Sequence, residues 1–503
     1  MTEGAGPGDE LAPAGMRLRP DPGSRLLAGG TVLAGGSPVR VLRLTASGAR
    51  HVAGWFSGTP VPDSPRARTL ARRLLDTGIA HPAGYLHEGP RDVTVVIPVR
   101  DRHEELARCL AGLAGVAGLA GVAGHGTPRV IVVDDASGDA AAIARIAEQG
   151  GAHIVRRPVN GGPGAARNTG LAAAGTALVA FLDSDCVPGP GWLDALLPHF
   201  ADPAVGAVAP RIVPDEPGRT WLGRYEGASS TLDMGARASI VRPGSRVPYV
   251  PGAALVVRKA AAGAGFAEDM RVGEDVDFVW RLAAAGWRVR YEPYATMAHQ
   301  HRVRLGAWFA RRKDYGTSAA ALELGHPGSV RPLYVSAWTA LAWLAVASGR
   351  PAAGAALTGA SIALLARRLA RVTGEERTAW ELAARLAGGG ALAAGRPLGS
   401  AVSRTWWPAV LPAAVAVRRL RLPLAALVLA PPLLDWLDRR PPLDPARYVA
   451  ARLLDDIAYS LGVWQGCAER RTIRPLLPRL GSRHLDMPRA KSAGTMMSST
   501  DRS

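Results

Sequence analysis

A chain of 503 residues with a formal net charge of +18 has length for two or three domains and a sizeable core, and it attracts anions: nucleotides, nucleic acid or acidic lipid surfaces. Its arginines are spread out with no base-reading motif beside them, which argues against nucleic acid as a partner. The three cysteines, Cys109, Cys186 and Cys467, form no zinc or disulfide pattern and fit a reducing compartment, and Met1 to Gly4 opens without the basic region and apolar core of a signal peptide.

In chain order, residues 1–15 are rich in Gly, Pro and acids and read as a disordered tail. Residues 16–88 alternate short apolar runs with turns at Gly29-Gly30 and Gly35-Gly36, which predicts a small hairpin or meander. Helical spacing follows at Leu70, Ala71, Leu74 and Leu75, ending near Gly78. Residues 91–330 alternate strand-like and helix-like segments, the pattern of an α/β domain with a mostly parallel sheet. Its predicted strands are Val93–Ile97, Val130–Val133, His153–Val155 and Leu178–Leu182. The Gly/Ala-rich segment 106–123 reads as a helix plus an expanded loop. Residues 331–485 are helical, apolar and basic. Their apolar runs are interrupted at Gly349-Arg350-Pro351 and at Arg418, Arg419 and Arg421, so none reaches the roughly 20 residues of a spanning helix. Arginines beside apolar helices suit attachment at the cytoplasmic face of a membrane, the other reading being a soluble Ala-rich helical domain. Residues 486–503 are polar and read as a second tail.

Chemistry concentrates where predicted strands end. Asp183-Ser184-Asp185 follows the buried run Ala177–Leu182, and carboxylates there must be solvated, paired or bound to a cation. Alone, the triplet reads equally as an Asx turn; with other acids at strand ends, two hard oxygen ligands suit Mg²⁺ or Mn²⁺ bridging to a diphosphate. The first strand runs into Pro98, Val99, Arg100 and Asp101, and the second into Asp134 and Asp135. Acids at such ends share one crevice. A carboxylate there can accept a nucleobase N–H or ribose hydroxyls, Asp135 first, Asp134 and Asp101 after it. The Gly-rich turn 160–168 places Arg167 to reach a phosphate or base edge, or to sit exposed on a helix. Glu274 and Asp275 stand at a helix start, where they could simply cap it or where Asp275 could act as a general base. His299 is a further candidate metal ligand, with His301 nearby.

In this order and rough spacing, Pro98 to Asp101, Asp134-Asp135, Asp183-Ser184-Asp185 and Glu274-Asp275 resemble the motifs of family 2 glycosyltransferases of the GT-A fold, across residues 91 to about 301. The resemblance implies a nucleotide-sugar donor, a divalent cation held through Asp185 with help from Asp183, and Asp275 as the base of a single inverting displacement. Pro251 to Ala254 matches the family's acceptor loop. The Gln-x-x-Arg-Trp motif of processive members is missing, with Arg281 and Trp308 to Arg312 as candidates for related parts, which argues against long polymerisation. Within the family, Asp92 to Asp101, Arg224-Tyr225-Glu226 and Val250 to Ala254 resemble the mycofactocin-system glycosyltransferases of actinobacteria, from about residue 16 to at least 340. This implies glucose transfer, from UDP-glucose, onto premycofactocin, a redox-cofactor precursor derived from a ribosomal peptide. Residues 16–88 also look like small winged-helix modules that bind leader peptides. Two alternatives stand: transfer to a polyprenyl phosphate or cell-envelope glycan, and a non-catalytic scaffold docking a peptide, against which Asp183, Asp185 and Asp275 together argue.

Overall fold

The structure is a computed structural model that describes residues 7–481 apart from 87, 120–127, 216, 217, 219 and 302. The N-terminal unit contains β1 (Arg17–Pro20), β2 (Arg25–Leu27), β3 (Val32–Gly35), β4 (Arg40–Arg43), α1 (Ala46–Phe56), α2 (Pro65–Thr77) and β5 (Ala80–Gly84). β2, β3 and β4 form an antiparallel meander and β1 pairs with β5. Apolar spacing on the two helices buries Trp55, Leu74 and Leu75 against Met16, Leu33 and Ile79. Residues 7–15, expected within a disordered tail, are instead tied down: Ala12 is buried, Arg72 Nε donates to the Glu10 carbonyl at 2.8 Å and Gly15 N to the Val61 carbonyl at 2.7 Å. The expected tail 486–503 lies outside the described residues.

The central unit follows with β6 (Val93–Val99), α3 (His103–Leu119), β7 (Arg129–Asp135), α4 (Ala140–Gln149), β8 (His153–Arg157), α5 (Gly162–Ala173), β9 (Leu178–Leu182), β10 (Cys186–Pro188), α6 (Trp192–Leu196), β11 (Val205–Pro214), α7 (Trp221–Ser229), β12 (Ser239–Ile240), β13 (Ala254–Arg258), α8 (Glu274–Ala284) and β14 (Arg288–His299). Their sheet has the order β10-β14-β11-β13-β9-β6-β7-β8, with β12 beside β14. The block β9-β6-β7-β8 is parallel, whereas β13 enters antiparallel between β9 and β11. Alternation along β6 sorts its side chains between two cores: Val95 and Ile97 pack with α3 residues Leu106 and Leu110, and Val96 with Ala166, Leu171 and Phe278. Both faces being covered is why these strands read as continuous apolar runs. All four predicted strands are present. Segment 106–123 is helical as far as Leu119, and its remainder lies outside the described residues.

α9 (Leu305–Gly325) leads into β15 (Tyr334–Val335), α10 (Ala337–Ala347), α11 (Pro351–Thr373), α12 (Glu376–Ala383), α13 (Gly389–Ala393), α14 (Gly395–Ala401), a π-helical turn Val402–Trp406, α15 (Trp407–Ala416), α16 (Arg421–Arg439), α17 (Pro445–Glu469) and β16 (Arg479–Leu480). α9 and α17 cross so closely that a Cβ on Gly462 would lie 1.9 Å from the Lys313 carbonyl oxygen. α11 and α12 cover the meander, with Leu369 and Leu382 packed on Val32 and Val41. The helical path breaks at Val417, which is extended (φ −114, ψ 96), as the sequence reading placed it, and a 3-10 turn at Arg418–Leu420 then leads into α16. By length and composition the segment Arg418–Arg439, 22 residues including this turn, is long and apolar enough to cross a membrane, although charged residues at Arg421 and Asp435 keep its consecutive apolar run short of 20.

Candidate active site

Three strand ends converge on one crevice. Pro98 on β6 lies opposite Val133 on β7, and Val99 opposite Asp134, while β9 flanks β6 on its other side. The loops 100–102, 134–139 and 183–185 thus emerge together, and the cavity they border, about 1120 Å³, is lined by Pro98, Asp135, Arg167, Asp183, Asp185, Asp275 and His299. Two expected donor-binding acids are used otherwise. Asp134 is fully buried; it accepts from Ser137 N at 2.9 Å and pairs with Arg156. Asp101, in a left-handed backbone conformation with φ 55, accepts from Gly138 N at 2.7 Å, bracing the neighbouring loop. Asp135 does face the cavity, but Arg157 Nε (2.9 Å), Gly161 N (3.0 Å) and Gly162 N (2.8 Å) donate to it. Of a carboxylate's roughly four acceptor positions, about one is left for a ligand. Its first task here is to fix the start of α5.

Arg167 is the centre of the acidic cluster. Its side chain is only 3% exposed and donates to Asp183 Oδ1 at 2.7 Å and to Glu274 Oε1 at 2.8 Å, so it is neither the free phosphate ligand nor the exposed helix arginine expected. Burial and the charge of Asp275 push the Glu274 carboxyl up to about 7, partly offset by Arg167. Asp275 accepts from Gly252 N at 2.6 Å and from Val276 N at 2.8 Å. The strand pairing explains that contact: Ala254 on β13 lies opposite Leu182 on β9, which sets the loop before β13 beside the Asp183 turn. A Cβ on Gly252 would stand 2.9 Å from Asp275 Cβ, so this position takes glycine because the Asp275 side chain approaches it.

Asp185 pairs with Arg102 and lies 3.6 Å from His299 Nε2. His299 reaches it because Cys186 on β10 is the register partner of His299 on β14. Burial would raise the Asp185 carboxyl, and His299 and Arg102 outweigh it to hold it below its usual range. The metal expectation narrows here. Among the described residues no three His, Cys, Asp or Glu side chains form a cluster able to hold a cation, and Asp183 is engaged by Arg167. Asp185 and His299 do fit as a pair: one hard carboxylate oxygen and the imidazole Nε2 lie 3.6 Å apart on the cavity wall. Two ligands leave open positions for phosphate oxygens.

The far wall was legible only at Trp308 to Arg312, the segment singled out beside the missing Gln-x-x-Arg-Trp motif. Trp308, Arg311, Arg312 and Tyr315 of α9, with Tyr249, Arg404 and Tyr459, line the same cavity. Trp308 Nε1 donates to Glu226 at 2.7 Å, Arg312 pairs with Glu226, and burial raises the Glu226 carboxyl against the opposing effect of Arg312. The Arg404 guanidinium lies 4.0 Å from the Tyr459 ring centroid. Burial pushes the Tyr249 phenol up to about 12. Arg281, by contrast, donates to Asp277 and the Gly265 carbonyl and does not line the cavity.

Residues 94–263 match the sequence profile described as "Glycosyl transferase family 2". The pre-mycofactocin glycosyltransferase of Mycobacterium tuberculosis, in two strains, is 41% identical over 481 residues, covering 93% of this chain and 98% of that protein. The succinoglycan biosynthesis protein ExoU of Rhizobium meliloti is 29% identical over 220 residues, 40% of this chain and 59% of that protein. Among solved structures, the mannosyltransferase PcManGT of Pyrobaculum calidifontis in complex with GDP-Man and Mn²⁺ shares 22% identity, covering 58% of this chain and 86% of that one at a TM-score of 0.36.

Proposed function

Because the chain belongs to the family of the pre-mycofactocin glycosyltransferases and carries a family 2 glycosyl transferase domain, we propose that it moves glucose from UDP-glucose onto premycofactocin with inversion at the anomeric carbon. The observation that carries the chemistry is the Asp275 carboxylate, fixed by two backbone N–H groups in the cavity that also takes in Asp183 and Asp185. Asp275 removes the proton of the acceptor hydroxyl, and the freed oxygen pair bonds to the anomeric carbon. The bond from that carbon to the diphosphate breaks in the same step, and its electron pair leaves with the diphosphate. Asp185 with His299 would hold a divalent cation, Mg²⁺ or Mn²⁺, which when bound supplies positive charge to the departing diphosphate. Arg167 holds Asp183 and Glu274 in place around the base, and Asp135 shapes the start of α5 beside the donor.

The C-terminal helices support attachment to the cytoplasmic face of a membrane. Leu344, Leu411, Val415 and Leu422 are 58–84% exposed, and Arg418, Arg419 and Arg421 lie among them. That face also keeps a second reading open, a polyprenyl-phosphate or envelope-glycan acceptor. Mass spectrometry of the purified protein with Mn²⁺, UDP-glucose and premycofactocin distinguishes the two. Added hexose mass on premycofactocin is the expected result; UDP release with lipid or glycan extract but unchanged premycofactocin would replace the acceptor.

A further inference from the structure

Two arginines hold the two carboxylates of the Asp183–Asp185 turn, and they differ in freedom. Arg167 is 3% exposed, donates to both Asp183 and Glu274, and its guanidinium lies 5.4 Å from the Phe266 ring centroid. It is locked on three sides. Arg102 is 34% exposed, its one acidic side-chain partner among the described residues is Asp185, and it borders the cavity from the loop after β6. A cation between Asp185 and His299 would meet this guanidinium at the same carboxylate, and two positive charges on one carboxylate repel.

We propose that Arg102 is a removable counter-ion of Asp185: it holds the carboxylate while no cation is bound, leaves it when a divalent cation enters, and then turns to the diphosphate of the donor. This rests on the metal-dependent reading above. The physical requirement is the cost of a buried carboxylate without a partner. Asp185 is 16% exposed and has the His299 imidazole 3.6 Å away, but of its two partners only the Arg102 guanidinium carries a permanent positive charge to hold it while neither cation nor donor is bound. Released, the same planar fork matches a phosphate's oxygens better than an ammonium does. Its loop already lies beside Pro98, where the strand ends open on the cavity. Cation entry and diphosphate binding are then coupled through one side chain, with no rearrangement of the locked Arg167.

Mn²⁺ binding followed by electron paramagnetic resonance on the full chain tests this, first without nucleotide and then with UDP titrated at saturating Mn²⁺. Wild type, Arg102→Ala and Arg102→Lys are compared, with thermal melts to check folding. The expected result is about tenfold tighter Mn²⁺ binding by R102A without nucleotide and about tenfold weaker UDP binding with Mn²⁺ present, R102K falling between. Mn²⁺ affinity that is unchanged or weaker in R102A overturns the counter-ion role. Tighter Mn²⁺ with unchanged UDP affinity overturns the diphosphate role. Mn²⁺ that fails to bind wild type, with or without UDP, overturns the metal-dependent reading itself, and the wild-type trace alone reports that.

Discussion

Gly252 is the residue at which a single methyl group would be felt by Asp275, the proposed base. Its absent Cβ would lie 2.9 Å from Asp275 Cβ and 3.2 Å from the Arg167 guanidinium carbon, neither of which is the loose end of a side chain. Gly252→Ala therefore has to push Asp275 or lose the 2.6 Å hydrogen bond that orients it. A displacement near 1 Å costs on the order of 100-fold in rate. Steady-state kinetics should show kcat falling by about that factor while UDP affinity holds within about twofold; unchanged kcat would detach Gly252 from the base. The sequence indicated which carboxylates cluster but not what each one does. Asp134 and Asp101 stand at strand ends as expected, yet one oxygen of each accepts from Ser137 N and Gly138 N, local loop bonds that no spacing reveals, and neither lines the cavity. His299 joins Asp185 through the β10–β14 register, a pairing of segments more than a hundred residues apart.

Among the elements, the parallel strands were the most legible because burial on both faces leaves an unbroken apolar run. β13 was not read as a strand although Ala254–Val257 is a buried apolar run like β9; its antiparallel place between β9 and β11 is a matter of topology that the run does not report. The helices α15 and α16 carry the clearest unpartnered surface. In the window of Arg418–Arg439 that meets the spanning criterion, only 6% of the residues are buried, and Leu422 is 84% exposed. Seating one leucine in lipid contributes about 1.5–3 kcal/mol and each nearby arginine about 1 kcal/mol at an anionic surface. Flotation with vesicles containing anionic lipid should carry the protein upward, and the double variant Leu411→Asp, Leu422→Asp should largely remain in the dense fraction with its melting temperature unchanged. Equal flotation of the two proteins would mean that this face does not contact the lipid.

At the scale of the whole molecule, the cavity belongs to more than the domain that carries the motifs. Its strand-end side comes from residues 98–185, and its far side from α9, the π-helical turn at Arg404 and Tyr459 on α17. That wall exists because α9 and α17 cross at Gly462 and because Arg312 reaches both Glu226 and Asp455, long-range packing that composition and periodicity do not report. The N-terminal unit is bound in as well. Arg72 makes a buried pair with Asp202 at 2.7 Å, and the meander is covered by α11 and α12. The motif-bearing strands thus form one side of the cavity, while the opposite side is shaped by helices that lie outside them. We infer that Asp275 acts as the base and not as a helix cap or a donor ligand. That role is tested most directly by measuring UDP-glucose binding and hexose transfer side by side on Asp275→Asn. Binding retained within about threefold, with transfer reduced by about 100-fold or more, is the predicted result; transfer at the wild-type rate, or binding lost together with transfer, would contradict it.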